Sequence, residues 1–129
     1  MGPREVMEKL HETINAHDAT RGRELFDPSA RIVTATGRVV TLAGLGQILA
    51  DTVAAFPDLQ MRVERWIEQG DVIVTEEVME GTHDGVFAGM SATGRRVKLP
   101  ICHVTRVVDG RIVERVAYHD TAGILRQLT

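Results

Sequence analysis

The chain has 129 residues and a net charge of −3, from 15 basic and 18 acidic residues. With 43% hydrophobic and 26% charged residues, this composition excludes a disordered or collagen-like protein and predicts one domain over residues 1–129. No apolar stretch reaches the roughly 18 residues of a membrane span, and only the short run 95–98 is basic, so neither a membrane nor a nucleic-acid partner is expected.

Cysteine usage and the N-terminus point to a cytoplasmic protein. Cys102 is the only cysteine, so an intrachain disulfide is excluded. The first nine residues have no apolar run after their charged residues, unlike a signal peptide. We therefore expect a reduced, cytoplasmic compartment.

The first part of the chain is predicted to be mainly helical. Val6, Leu10 and Ile14 recur at helical spacing, and Thr41 is placed to cap a later helix that Pro57 stops. The predicted elements are a helix over 3–16, a short helix over 18–26 capped by Asp18 and ended by Asp27-Pro28, strands over 31–36 and 39–40, and a helix over 41–56.

The second part is predicted to be a meander of long strands. Asp109-Gly110 is the strongest hairpin signal in the sequence. The predicted elements are strands over 59–68, 72–82, 93–108 and 111–119, with a short helix over 121–128. Helices followed by antiparallel strands predict an α+β fold, with the N-terminal helices packed on a curved, largely antiparallel mixed sheet. Such a sheet closed by a helix makes a cone-shaped barrel with an apolar pocket.

An ordered set of motifs runs through most of residues 5–128. They are Phe56-Pro57-Asp58-Leu59, Gly70-Asp71-Val72-Ile73-Val74, Gly81-Thr82-His83-Asp84-Gly85-Val86-Phe87, Thr93-Gly94-Arg95, Val108-Asp109-Gly110-Arg111-Ile112-Val113-Glu114, Tyr118-His119-Asp120 and Leu125-Arg126-Gln127-Leu128. Together they resemble the SnoaL-like polyketide cyclases of the nuclear-transport-factor-2-like superfamily. The resemblance implies a homodimer that pairs through the outer face of the sheet. It does not specify the reaction, because relatives include aldol cyclases, cofactor-free hydroxylases, epoxide hydrolases, isomerases and ligand binders.

For the aldol cyclases, the resemblance implies an acid/base aspartate on the last strand and a histidine on the strand before it. His103 matches the histidine. Two registers are open for the aspartate: one places it at Asp120, and the other, which the hairpin count slightly favours, places it at Ala117. In the second register the carboxylate is missing.

Three of the five histidines, His83, His103 and His119, lie in the sheet region. A neutral imidazole can accept and return a proton near pH 7. Alternation places Arg115, Ala117 and His119 on one face of the last strand, but it leaves open which face lines the pocket. A structural role within the sheet is an equal alternative for His103 and His119, and His83 is somewhat better explained as a turn residue. Their spacing is not that of a zinc site, so no metal is predicted.

Glu76 and Glu77 are unusual in the middle of a strand, because adjacent residues face opposite sides and one carboxylate must point inward. The apolar neighbours of Glu76 favour that residue as the buried one, whereas the resemblance to the epoxide-hydrolase relatives favours Glu77. A carboxyl group in an apolar cone could act as acid or base. An ion pair with an arginine such as Arg106 is an equal alternative.

These patterns predict a small acid/base enzyme of secondary metabolism that needs no cofactor and acts on an apolar, carbonyl-bearing, polyketide-type molecule. A non-catalytic binding module, and an epoxide hydrolase or isomerase, are the alternatives. The candidates for proton transfer are His103, His119, Asp120 and Glu77. The candidates for substrate binding are His83, Tyr118, Glu76, Phe56, Trp66 and Met79.

Overall fold

The computed structural model describes all residues 1–129, as four helices packed on one six-stranded sheet. In chain order the elements are α1 (Pro3–Asn15), α2 (Ala19–Arg23), β1 (Phe26–Val33), β2 (Val39–Val40), α3 (Leu42–Ala55), β3 (Gln60–Gln69), β4 (Val72–Thr82), β5 (Arg96–Val108), β6 (Arg111–His119) and α4 (Thr121–Leu128). The exposed surface is 6995 Å², close to the roughly 6,800 Å² expected for this mass. No helix combines the length and hydropathy that a membrane span requires.

The strand order is β2-β1-β6-β5-β4-β3, and every neighbouring pair is antiparallel except β1 with β6. The predicted α+β fold with a mixed, largely antiparallel sheet is therefore confirmed. The turn between β5 and β6 has positive φ at both Asp109 and Gly110, as a tight hairpin turn requires. This turn sets the register that places His103 opposite Ala117.

Two groups of buried apolar side chains form the core. The first joins the apolar stripe of α1 to the sheet, and the second joins the end of α3 and the helix α4 to the other end of the sheet. The first consists of Val6, Met7, Leu10, Phe26, Ile32, Ile73, Val107 and Ile112, and the second of Ala55, Phe56, Leu59, Met79, Val97, Leu99, Ile124 and Leu128.

The segment around Pro28 differs from the prediction. The second helix ends at Arg23, and Phe26 opens β1, which passes through Asp27-Pro28 and ends at Val33. Proline lacks an N–H and is confined in sheets to edges and bulges. The pairing of β1 with β6 shifts register between Phe26 and Arg31, and this irregularity accommodates Pro28.

Candidate active site

A cavity of about 390 Å³ lies between the helices and the inner face of the sheet. Of its 32 lining residues, 21 are hydrophobic, so its walls suit an apolar ligand with few polar groups. Leu10 and Ile32 from the first core group and Leu59, Leu99 and Ile124 from the second contribute to the walls. The cavity therefore lies between the two parts of the core.

Strands β5 and β6 place three polar side chains, those of His103, Arg115 and His119, on the cavity wall. Alternation places His103 on the inner face of β5, and it places Arg115, Ala117 and His119 on the inner face of β6. Ala117 is directly opposite His103, whereas His119 is opposite Ile101. Because the residue facing His103 has only a methyl group, space remains in front of the imidazole, with Arg115 and His119 on either side.

Glu77 stands behind His103 and is closed off from the cavity, with only 2% of its surface exposed. One carboxylate oxygen, Oε2, accepts a hydrogen bond from Nδ1 of His103 and another, of 2.9 Å, from the hydroxyl of Thr75. The other oxygen, Oε1, contacts Nε2 of His11. Since both oxygens are engaged within the protein, Glu77 holds the imidazoles in place rather than reaching a ligand.

His11 is the site residue that sequence reasoning missed. It lies on α1 with 7% of its surface exposed, and its Nδ1 is 2.8 Å from the carbonyl oxygen of Met7. The Met7 carbonyl and the Glu77 carboxylate are hydrogen-bond acceptors, so the two ring nitrogens of His11 tie α1 to Glu77 on β4. The available signal was its position four residues after Met7, within the apolar stripe of α1.

The protonation states of Glu77 and His103 follow from their surroundings. Burial by itself raises the pKa of Glu77, but the hydrogen bonds from His103 and His11 outweigh burial and hold that pKa below its usual range. Burial, helped by the positive charge of Arg115, lowers the pKa of His103 to about 4 against the opposing effect of Glu77. At neutral pH the pair is therefore a carboxylate and a neutral imidazole.

The free nitrogen of His103 is available to a ligand. Nδ1 donates to Glu77, which fixes the tautomer and leaves Nε2 as an acceptor. Only two buried side-chain nitrogens in the protein lack a partner, Nε2 of His83 and Nδ1 of His119, so Nε2 of His103 is not sealed in the protein. Because His103 lines the cavity, this acceptor opens onto it.

Three predicted site residues lie away from the cavity. Glu76 is on the outer face of β4, where its half-exposed carboxylate pairs with Arg65. Tyr118 is 58% exposed, because it has the opposite strand parity to His119. Asp120 lies one residue beyond β6, where it caps α4 through the N–H of Gly123 at 3.0 Å. The expectations of a site role for these residues are corrected.

Phe56, Trp66 and His83 also lie outside the cavity walls. Phe56 and His83 are fully buried with their rings 5.6 Å apart, and Nδ1 of His83 accepts the N–H of Thr93 at 3.3 Å. Trp66 packs edge-on against His11 with 6.0 Å between the rings. The predicted direct contacts of these three with substrate are therefore corrected to packing roles.

Two further predicted residues do line the cavity. Met79 contributes to its apolar wall and His119 to its polar wall. Burial lowers the pKa of His119, so this imidazole is neutral at neutral pH and its Nδ1 is buried without a partner. It is suited to orient a ligand by hydrogen bonding.

Acidification is expected to destabilise the protein as the pH falls from about 6.5 to about 4. The unfolded chain takes up a proton on His103 near pH 6.5, whereas the folded chain does so only near pH 4, so unfolding is favoured by about 3 kcal/mol across this range. Glu77, whose pKa is also lowered by folding, adds a loss of the same sign at lower pH. Urea unfolding at a series of pH values measures the effect, and in His103→Gln the loss above pH 4.5 should shrink markedly. An unchanged pH dependence in that variant would contradict this assignment.

Comparison with known proteins identifies a family. A family model described as SnoaL-like polyketide cyclase matches residues 4–128. The nogalonic acid methyl ester cyclase of Streptomyces nogalater is 36% identical over 69 residues, which are 54% of this chain and 49% of that protein. The aklanonic acid methyl ester cyclase DnrD of Streptomyces peucetius is 38% identical over 61 residues, 47% of this chain and 42% of that protein. Each match therefore spans less than half of the curated relative.

Solved structures agree over the whole fold. IdmH of Streptomyces antibioticus, described as a candidate polyketide cyclase, is 32% identical with a TM-score of 0.89, and 99% of each chain is covered. AclR of Streptomyces galilaeus, described as a candidate hydroxylase, has a TM-score of 0.90 at 24% identity, over 98% of this chain and 80% of that one; at this identity the likeness concerns the fold alone. From the family match over residues 4–128, supported by these relatives, it follows that the chain belongs to the SnoaL-like polyketide cyclase family.

Proposed function

We propose that the protein closes a ring in an apolar, carbonyl-bearing polyketide-type molecule by acid/base chemistry, without a cofactor. The observation that carries the proposal is the neutral His103, whose Nδ1–H is held by the buried Glu77 carboxylate while Nε2 opens onto the apolar cavity. Two relatives named as methyl ester cyclases support ring closure as the reaction type.

The proposed reaction begins when Nε2 of His103 removes a proton from a carbon beside a carbonyl group. The electron pair of the C–H bond becomes an enolate, and its carbon attacks a second carbonyl of the same molecule to form a C–C bond. The imidazolium of His103 then returns the proton to the new alkoxide, so the product is an isomer of the substrate. Glu77 stabilises the transient imidazolium and keeps the ring oriented.

The residue at position 117 is an alanine and cannot act as a base, which leaves His103 as the candidate. The register of β5 and β6 pairs His103 with Ala117, which favours the alignment in which the aspartate of the aldol cyclases is replaced by alanine. Asp120, the other candidate, caps α4 outside the cavity. With no carboxylate lining this part of the wall, the imidazole is the group with a free acceptor beside a ligand.

A non-catalytic binding module is the second candidate, and the alanine at position 117 is the observation that favours it. An epoxide hydrolase gains less support, because both oxygens of Glu77 are engaged and the side chain is closed off from the cavity.

Incubation with a methyl ester of an uncyclised polyketide acid separates the candidates. The proposal predicts a product of unchanged mass with one more ring, whereas tight binding without conversion would support the binding module.

Activity is expected to survive chelation and dialysis. No three His, Cys, Asp or Glu side chains are grouped as metal ligands, and the proposed steps use only protein groups and substrate carbonyls. The rate of ring closure should therefore be the same in a sample that is treated with a chelator and dialysed as in a control sample that is dialysed without the chelator. Loss of activity that zinc restores would contradict cofactor independence.

We also propose a homodimer formed through the outer face of the sheet. Tyr118 and Ile67 are 58% and 48% exposed on that face, and an isologous pair would cover both. Light scattering at micromolar concentration should give about twice 14.2 kDa, and Tyr118→Glu should lower it towards the monomer mass. The matched control is Val86→Glu, at an apolar position 68% exposed in a loop. A wild-type mass of one chain would contradict the dimer.

A further inference from the structure

Arg115 presents an unused hydrogen-bonding edge to the cavity. Its Nη1 donates to the hydroxyl of Thr105 at 2.9 Å and contacts the sulfur of Met7 at 3.4 Å. Nε and Nη2 make no hydrogen bond in the protein, yet they are not among the buried nitrogens that lack a partner. Since Arg115 is only 6% exposed and lines the cavity, these two nitrogens open onto it.

The unused edge has the geometry of a fork. Nε–H and one N–H of Nη2 point in the same direction from the planar guanidinium, so together they match a pair of oxygens on a planar anion. The Nη1 contacts with Thr105 and Met7 fix the plane of the group from behind. A ligand with two oxygens side by side would satisfy both donors, whereas a single carbonyl would leave one of them unpaired.

The charges around the cavity wall also favour an anion. Arg115 is the one buried arginine in the protein, and the one buried carboxylate, that of Glu77, interacts with its charge. The other charged residues lining the cavity are Asp18, whose carboxylate caps α2, and Arg23, which is exposed. Because Glu77 is engaged by His11, Thr75 and His103 and makes no hydrogen bond to Arg115, the unused donors of Arg115 remain free for a bound anion.

We infer that the forked edge of Arg115 makes the cavity an anion-binding site, and that the substrate class is a planar, apolar β-dicarbonyl compound bound as its enolate. This inference rests on the proposed cyclase function and names its substrate class. The carbon between two carbonyl groups is much more acidic than a carbon beside one, so a weak base such as His103 can deprotonate it. The enolate oxygens then lie on the Arg115 fork, where the cationic donors stabilise the negative charge that develops on them.

Equilibrium binding of two probes tests the inference without any turnover. Naphthoylacetone carries a β-dicarbonyl whose enolate has its own ultraviolet absorption, and 2-acetylnaphthalene has the same apolar body with a single carbonyl. Titration of the wild-type protein at neutral pH should show naphthoylacetone bound as the enolate, about 10- to 100-fold more tightly than 2-acetylnaphthalene, as expected for hydrogen bonds to a charged group. Arg115→Gln should lose this preference and the enolate spectrum, and Arg115→Lys, which keeps the charge without the fork, should lose most of it.

His103→Gln separates this inference from the proposed function. The enolate of naphthoylacetone also forms in solution without the protein. The His103→Gln variant should therefore still bind naphthoylacetone more tightly than 2-acetylnaphthalene, even though it no longer closes a ring in the substrate. Equal affinity of the wild-type protein for both probes, or an unchanged preference in Arg115→Gln, would overturn the anion site and leave the role of His103 standing. A retained preference together with full ring closure in His103→Gln would overturn the proposed base and leave the anion site standing. If Arg115→Gln does not fold, the wild-type comparison of the two probes and Arg115→Lys decide the question.

Discussion

Replacing Glu77 by glutamine is expected to lower the free energy of unfolding by about 3–5 kcal/mol, the usual cost of breaking a buried ion pair. The amide keeps the volume of the side chain but removes the buried negative charge that interacts with Arg115 and holds His11 and His103. It also cannot accept hydrogen bonds from His11 and His103 with both of its heavy atoms, because one is now an NH₂ donor. Ring closure should slow by about 10²–10⁴-fold, because the imidazole loses its orientation and its counter-charge.

The adjacent residue provides a matched control. Glu76→Gln makes the same chemical change one position away, at a half-exposed side chain that pairs with Arg65 on the surface. Its free energy of unfolding should change by no more than about 1 kcal/mol, and its rate should be that of the wild type. Urea denaturation and a rate assay on both variants measure the contrast. Equal stability of the Glu77 and Glu76 variants would mean that the buried carboxylate is not the centre of the site.

Replacing His103 by glutamine is expected to keep the fold and lower turnover by about 10²–10⁴-fold, the usual contribution of a positioned acid or base. The glutamine amide can still donate a hydrogen bond to Glu77, so little stability should be lost. The amide is far too weak a base to take a proton from carbon, so the first step of the proposed reaction fails. The measurement combines turnover and thermal unfolding on the same preparation.

His83→Gln is the control for burying a glutamine in place of a histidine. His83 is completely buried and packs on Phe56 away from the cavity, so this variant should lose stability and keep its rate per folded molecule. A His103 variant with the wild-type rate would remove that residue from the reaction. His119, the other imidazole on the cavity wall, would then become the candidate.

The sequence predicted the central geometry where a local signal was strong. The Asp109-Gly110 turn allows only a narrow choice of register. Counting from it favours Ala117 as the position on the last strand, and the structure places Ala117 opposite His103. The same turn defines β6, whose limits match the prediction. Strand alternation then correctly grouped Arg115, Ala117 and His119, although it could not say that their face is the inner one.

The rest of the site depends on contacts that no local pattern contains. Both faces of β4 carry apolar residues, so alternation gave only a weak preference for Glu76 as the buried carboxylate. That preference is wrong, because Glu77 is the buried one. His11 meets Glu77 across 66 positions of the chain, because α1 docks on the sheet. The apolar stripe of α1 shows which face is buried but not which polar group that face will meet. Asp120 was misassigned since a residue just beyond a strand can equally cap the following helix.

The most direct test of the central claim, that His103 is the base of the cavity, is hydrogen exchange at the reacting carbon. A substrate analogue that lacks the carbonyl attacked by the enolate carbon cannot close a ring. Removal and return of the proton at its reacting carbon can therefore be followed in deuterium oxide by proton NMR. The wild-type protein should accelerate exchange over buffer, and His103→Gln should lose at least about 10²-fold of that acceleration, while His119→Gln should retain most of it. Exchange in His103→Gln as fast as in the wild type would contradict the account.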